Sequence, residues 1–98
     1  MLKKAVSKNG EKCRVTFEIP ADVNAESAFL VGDFNDWDET AQPMKQRKDG
    51  SFYTAVSLKT GETYHFRYLL DGDRWENDWE ADGYIPNIHG SDDSIVEV

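Results

Sequence analysis

Turn signals recur at short, regular intervals along this chain of 98 residues. Glycine supplies the left-handed backbone of tight turns, asparagine or aspartate before it favours the same conformation, and proline fixes a bend. Turns about 8–12 residues apart leave room for short strands, and no amphipathic helical period is found between them. The pattern therefore predicts an all-β sandwich or barrel. The signals are Asn9-Gly10, Pro20, Gly32, Pro43, Asp49-Gly50, Thr60-Gly61, Asp71-Gly72, Asp82-Gly83 and Gly90.

Alternation of apolar and polar residues locates the strands. Residues 12–19 predict a half-buried strand, and the continuously apolar residues 28–31 predict a strand that is central or covered on both faces. Asp49-Gly50 predicts a hairpin that joins residues 44–48 to a strand beginning at Phe52, and residues 95–98 predict a closing strand. In residues 64–70 we expect the core face to carry Tyr64, Phe66, Tyr68 and Leu70, which leaves His65 and Arg67 facing outward.

Length and charge limit the organisation and the partners. A chain of 98 residues predicts a single domain over 1–98, and we expect residues 1–11 to form a loosely ordered N-terminal segment. The net charge of −8 argues against nucleic acid and membrane partners. One cysteine, Cys13, excludes an internal disulfide, and with two histidines it cannot form a conventional zinc site. We expect a cytoplasmic protein that needs no metal and no cofactor.

Three tryptophans stand among acids and amides rather than among apolar residues. They are Trp37, Trp75 and Trp79. A core tryptophan normally has apolar neighbours at strand or helix period, whereas a flat ring at the surface beside hydrogen-bonding groups suits a sugar, which has one apolar face and many hydroxyls. With the outward Arg67 as a donor, the pattern points to carbohydrate.

The face on which Trp75 lies depends on the loop after Leu70. A two-residue Asp71-Gly72 turn pairs Tyr68 with Trp75 and places the ring on the core face. A three-residue loop shifts the pairing by one residue and moves the ring to the outward face of Arg67. The residues alone allow both.

Three segments resemble the family 48 carbohydrate-binding modules, which include isoamylase N-terminal domains and the glycogen-binding domain of the AMP-activated protein kinase β-subunit. Residues 31–37 (VGDFNDW) are similar to the signature Gly-x-Phe-Asn-x-Trp. Residues 66–75 (FRYLLDGDRW) resemble Tyr-Lys-Phe-x-Val-Asp-Gly-x-Trp with one residue inserted, and residues 94–98 (SIVEV) resemble the end strand Asn-x-Ile-x-Val. The resemblance implies an immunoglobulin-like β-sandwich of the early-set type with about seven short antiparallel strands.

The resemblance also implies a binding site. By matching position, Trp37 and Trp75 are the sugar-stacking tryptophans and Arg67 stands at the family's hydrogen-bonding lysine. Asp93 stands where the family has a sugar-contacting asparagine, and the segment beginning at His89 departs from the family as well. The inserted residue favours the three-residue loop and so the outward face for Trp75. Trp79 has no counterpart, and it either covers one end of the sandwich or extends the binding face.

The predicted function is non-catalytic binding of α-1,4-linked glucan, such as glycogen, starch or a malto-oligosaccharide. The carbohydrate-binding residues are Trp37, Arg67, Trp75 and Asp93, and Asn35 is expected to brace its loop. No catalytic residue is expected, because the loop acids Asp33 to Glu39 lack the two-sided cleft that a glycosidase needs. The alternative is a protein-interaction or regulatory module of the same fold that docks to a glucan-metabolising enzyme.

Overall fold

The structure is a computed structural model, and it describes residues 2–87 and 90–98. The described residues form nine antiparallel strands and two single-turn 3-10 helices, Ala21–Val23 and Asp33–Asn35. The strands are β1 (Leu2–Val6), β2 (Lys12–Ile19), β3 (Ala28–Gly32), β4 (Lys45–Gln46), β5 (Phe52–Lys59), β6 (Thr63–Leu70), β7 (Arg74–Glu76), β8 (Gly83–Pro86) and β9 (Asp92–Glu97).

The strands lie in two sheets, which confirms the predicted all-β, immunoglobulin-like sandwich. Sheet 1 has the order β1-β2-β5-β4. Sheet 2 has the order β3-β6-β9-β8, and β7 pairs with the end of β6. Strand β6 therefore contacts three neighbours, and residues from all three approach one another on its outer face.

The core forms where the inward residues of β2 meet those of β6. Phe17 of β2 packs edge-on against Phe66, with ring centroids 5.0 Å apart, and Phe66 packs in the same way against Tyr68 at 5.6 Å. Aromatic pairs favour this geometry because the positive edge of one ring meets the negative face of the other. The alternation predicted for residues 12–19 is confirmed, since its apolar members Cys13, Val15, Phe17 and Ile19 are all buried.

The predicted hairpin is also observed, although β4 is shorter than expected. Lys45 pairs with Tyr53 across a turn in which Gly50 has φ +94°. Strand β3 is covered on both faces as predicted, because Leu30 and Val31 point to opposite faces and both are fully buried. It lies at the end of its sheet, where Gln42 and Met44 hydrogen-bond to its outer edge.

Within the segment 1–11, which was expected to be loosely ordered, the described residues 2–11 contain a strand. Residues Leu2–Val6 form β1, which pairs along its whole length with β2. The Lys4 ammonium group reaches the other sheet and lies 2.6 Å from the Asp82 carboxylate. The alternation of apolar and polar residues in β1 is weak, because no glycine turn lies at its start and only Leu2 and Val6 are branched apolar residues. The sequence pattern therefore did not predict this strand.

Candidate functional site

The loop after β3 holds Trp37 in one orientation. Asn35 braces it as expected, since its Oδ1 accepts from the Gly32 amide at 3.0 Å and its Nδ2 donates to the Leu30 carbonyl at 2.9 Å. Asp36 and Trp37 both have positive φ, 56° and 57°, which turns the chain back so that the Trp37 amide donates to the Gly32 carbonyl at 2.9 Å. Left-handed backbone is uncommon for residues other than glycine, and here the side chain of Asn35 stabilises it.

The Asp33 carboxylate ties this loop to β6. One oxygen accepts from the Trp37 indole Nε1 at 2.8 Å, and the other accepts from the His65 amide at 2.7 Å. Gly32 makes this approach possible because a Cβ there would lie only 2.5 Å from the His65 carbonyl oxygen. The indole N–H of Trp37 is thus engaged within the protein.

The register of β7 answers the question of where Trp75 lies. Trp75 pairs with Leu69 and Arg74 pairs with Leu70, so the loop has three residues. Asp71 and Gly72 have φ of 54° and 78°, and Asp71 fixes the loop by accepting two backbone N–H bonds from residues 26 and 27. Trp75 therefore lies on the outward face, 41% exposed, and does not pack on the core face.

Arg67 lies on the same outward face and is held in place by β9. Its Nε donates to Asp93 Oδ1 at 3.1 Å, and its Nη2 donates to Ser91 Oγ at 2.7 Å and to the carbonyl of Asp92. Three bonds to one guanidinium fix its plane, which is the property that separates arginine from lysine. Nη1 makes no hydrogen bond to the described residues.

Asp93 is the centre of a network rather than an open contact point. Besides Arg67, it takes a hydrogen bond from Asn87 Nδ2 at 3.1 Å, and its Oδ2 lies 3.2 Å from His65 Nδ1. Its side chain is mostly buried. The Asp93 carboxylate thus positions the side chains of both Arg67 and His65.

The predicted residues meet in one open groove on the outer face of sheet 2, with a volume of about 480 Å³. On the same face, Val31 pairs with Arg67 and Leu69 pairs with Trp75, and both apolar side chains are buried. The lining residues are Asp33, Trp37, His65, Arg67, Trp75, Asn87 and Asp93.

Three of these lining residues were absent from the predicted set. His65 could have been found, because it alternates with Arg67 on the outward face of one strand. Asp33 carried a weaker signal, its place inside the signature segment. Asn87 carried none, since its position follows from the pairing of β8 with β9. His89, which the sequence analysis named as a departure from the family, lies outside the described residues.

Trp79 lies away from the groove. It is 55% exposed and lines a much smaller depression with Ile19 and Tyr68, beside one end of the core. Trp79 therefore does not extend the groove, and it lies at one end of the sandwich instead.

Among the acids of the 33–39 loop, Asp38 does not have the properties of a general acid. Hydrogen bonds from Thr40 lower the pKa of Asp38, whereas a catalytic acid needs a raised one. Within residues 2–87 and 90–98, no group of three or more histidine, cysteine or acidic side chains is placed to hold a metal ion. Over the same residues, no helix has the length and apolar character needed to cross a bilayer.

Comparison with known proteins gives a consistent result. The family model described as carbohydrate-binding module 48 (isoamylase N-terminal domain) matches residues 6–85. Trp37, Arg67 and Trp75 fall within that match, and Asp93 lies beyond it.

The chain is also similar to part of several 1,4-alpha-glucan branching enzymes GlgB. It is 37% identical to that of Aquifex aeolicus (strain VF5) over 68 residues, which is 66% of this chain and 10% of the relative. It is 33% identical to that of Butyrivibrio fibrisolvens over 61 residues, which is 62% of this chain and 10% of the relative. For Lactobacillus acidophilus (strain ATCC 700396 / NCK56 / N2 / NCFM) the identity is 48% over 44 residues, 44% of this chain and 7% of the relative. The chain thus spans about a tenth of the length of these relatives or less.

Proposed function

The chain belongs to the carbohydrate-binding module 48 (isoamylase N-terminal domain) family, and from this premise we propose that it binds α-1,4-linked glucan without catalysing a reaction on it. The observation that carries the proposal is the groove in which two tryptophans and an arginine share one face of sheet 2. The relatives act on 1,4-alpha-glucan according to their names, and the groove offers the groups that such a chain needs.

Both tryptophans line the groove, and in the proposed complex each packs one ring face on the sugar. The axial C–H bonds of a pyranose form an apolar patch that packs on such a face, while the hydroxyls point to the rim. Trp37 is suited to this because Asp33 already fixes its indole N–H at 2.8 Å, so that little side-chain freedom is lost on binding. Trp75 is suited because its strand pairing keeps the ring on the outward face.

Arg67 and Asp93 have different roles in this proposal. Arg67 donates from Nη1 to a glucan hydroxyl, since its other nitrogens are engaged by β9. Asp93 orients the guanidinium and can accept from a hydroxyl with its remaining lone pairs. The groove is open and shallow, which fits a chain that lies across it rather than a small molecule enclosed on all sides.

Intrinsic tryptophan fluorescence titrated with maltoheptaose tests the proposal. We expect saturable binding, and we expect Trp37→Ala and Trp75→Ala each to weaken it by about 30-fold, the effect of losing about 2 kcal/mol at a central aromatic contact. Trp79→Ala is the matched control, because its ring lies outside the groove, and it should keep the affinity within about twofold.

The proposal fails if millimolar maltoheptaose leaves the fluorescence unchanged and the variant Trp37→Ala behaves as the parent does. Retention of the protein by a purified 1,4-alpha-glucan branching enzyme, with no retention on amylose resin, would replace it by the docking alternative.

A further inference from the structure

The His65 side chain lines the groove, and neither the stacking nor the arginine contact uses it. It lies on β6 two residues before Arg67 and lines the groove together with both tryptophans. We propose that His65 is a further sugar-contacting residue whose Nε2 accepts a hydrogen bond from a glucan hydroxyl. This inference rests on the proposed glucan binding.

The Asp93 carboxylate determines which ring nitrogen carries the proton. An ionised carboxylate can only accept hydrogen bonds, so His65 Nδ1, 3.2 Å from Asp93 Oδ2, must be the donor. In a neutral imidazole one nitrogen is a donor and the other an acceptor, which leaves Nε2 with a free lone pair. An asparagine at position 93 could offer either an oxygen or an N–H group and would not impose this tautomer.

The geometry leaves Nε2 available to a ligand. The His65 side chain is 33% exposed, and no hydrogen bond from the described residues reaches Nε2. The ring is held from two sides, because Asp33 accepts from the His65 backbone amide at 2.7 Å and Asp93 fixes Nδ1. Among the described residues lining the groove, the charged groups that face His65 are Asp33 after β3, Asp93 on β9 and Arg67 on β6.

His65 and Arg67 together form a donor and acceptor pair. Alternate residues of a strand lie roughly 7 Å apart on one face, so Arg67 Nη1 offers a donor and His65 Nε2 an acceptor at neighbouring points of the groove. A sugar hydroxyl can both donate and accept, and it satisfies such a pair.

Isothermal titration with maltoheptaose at pH 8.0 tests the inference on the full chain. One hydrogen bond contributes about threefold to tenfold in affinity. His65→Phe, which has no acceptor, should therefore bind about threefold to tenfold more weakly than the parent protein. His65→Gln, which retains an acceptor, should bind about as well as the parent.

The controls separate this inference from the proposed function. Near-ultraviolet circular dichroism should show the same fold for the parent and for both variants. Equal affinity of the parent and His65→Phe overturns the inference, as does a loss of affinity in His65→Gln as large as that in His65→Phe. Failure of the parent to bind overturns the proposed function together with it.

Discussion

Replacing Tyr68 by phenylalanine removes one hydroxyl from the centre of the molecule. Tyr68 is 1% exposed, and its hydroxyl donates to Asp78 Oδ2 at 2.5 Å. Asp78 is itself 2% exposed. Burial, followed by the charge of Asp78 and the hydrogen bond to it, raises the pKa of Tyr68 well above the ordinary value of 10.0. The hydroxyl therefore stays neutral and donates to a buried carboxylate.

The expected loss of stability is about 2 kcal/mol. A hydrogen bond to a charged group contributes about 1.5–3 kcal/mol, and a buried carboxylate that loses a donor keeps its desolvation cost. Asp78 Oδ1 retains the bond from the Glu80 amide, and a phenylalanine ring retains the edge contact with Phe66, so packing changes little. A loss of about 2 kcal/mol corresponds to a fall in Tm of about 8–16 °C in a domain of this size.

Urea unfolding followed by tryptophan fluorescence measures the change, with Tyr64→Phe as the matched control. The Tyr64 hydroxyl makes a longer bond of 3.4 Å to the Lys59 carbonyl in a partly exposed setting, so its loss should cost less than about 0.5 kcal/mol. Equal losses in the two variants would refute the reasoning. Because the pKa of Tyr68 is raised in the folded state, its contribution is complete below pH 10 and is lost as the pH rises further. The stability gap between parent and Tyr68→Phe should therefore narrow above pH 10.

Three further predictions follow from the loops and the outer face of sheet 1. Gly32→Ala should lower stability by about 1–3 kcal/mol and weaken glucan binding, because its Cβ would lie 2.5 Å from a carbonyl oxygen of β6; unchanged urea unfolding would contradict this. Deleting Asp73 should keep maltoheptaose affinity within about twofold, since a two-residue turn joins the same pairs and Trp75 stays outward; loss of fluorescence response would contradict it. Burial raises the pKa of Glu18, but hydrogen bonds from Arg47 and Lys3 outweigh it and lower that pKa below 4.5. The substitution Glu18→Gln should therefore reduce stability at pH 7, where the carboxylate is ionised, and should not reduce it below about pH 3. Equal effects at both pH values in urea titrations would exclude this explanation.

The parts of the fold that depend on local pattern could be predicted from the sequence. The alternation in residues 12–19 identifies a strand and its core face without knowledge of its partner, because side-chain direction alternates within the strand itself. The Asp49-Gly50 turn likewise specifies its own hairpin. Strands β1 and β8 were missed, although each pairs with the strand that follows it in the sequence, because their short segments show little alternation of apolar and polar residues.

The candidate site could be predicted in its members but not in its connections. Trp37, Arg67 and Trp75 were identified, and the structure places them in one groove. The network around His65 joins Asp33 and Asp93, which are 32 residues before it and 28 residues after it. Hydrogen bonds over such separations follow from the order in which the strands pair within the sheet, and no local pattern in the sequence carries that information.

Strand β6 has a consequence for how this groove could be altered. Trp37 is anchored to its backbone through Asp33, Trp75 is placed by pairing with Leu69, and Arg67 belongs to the strand itself. The separation of the two rings is thus set by one short stretch of backbone and not by sheet 1, whose outer face lies across the core. The charges on that outer face could be changed, or another domain could be attached to it, while the ring spacing stays fixed. A different spacing would require a change in β6 or in the loops that meet it.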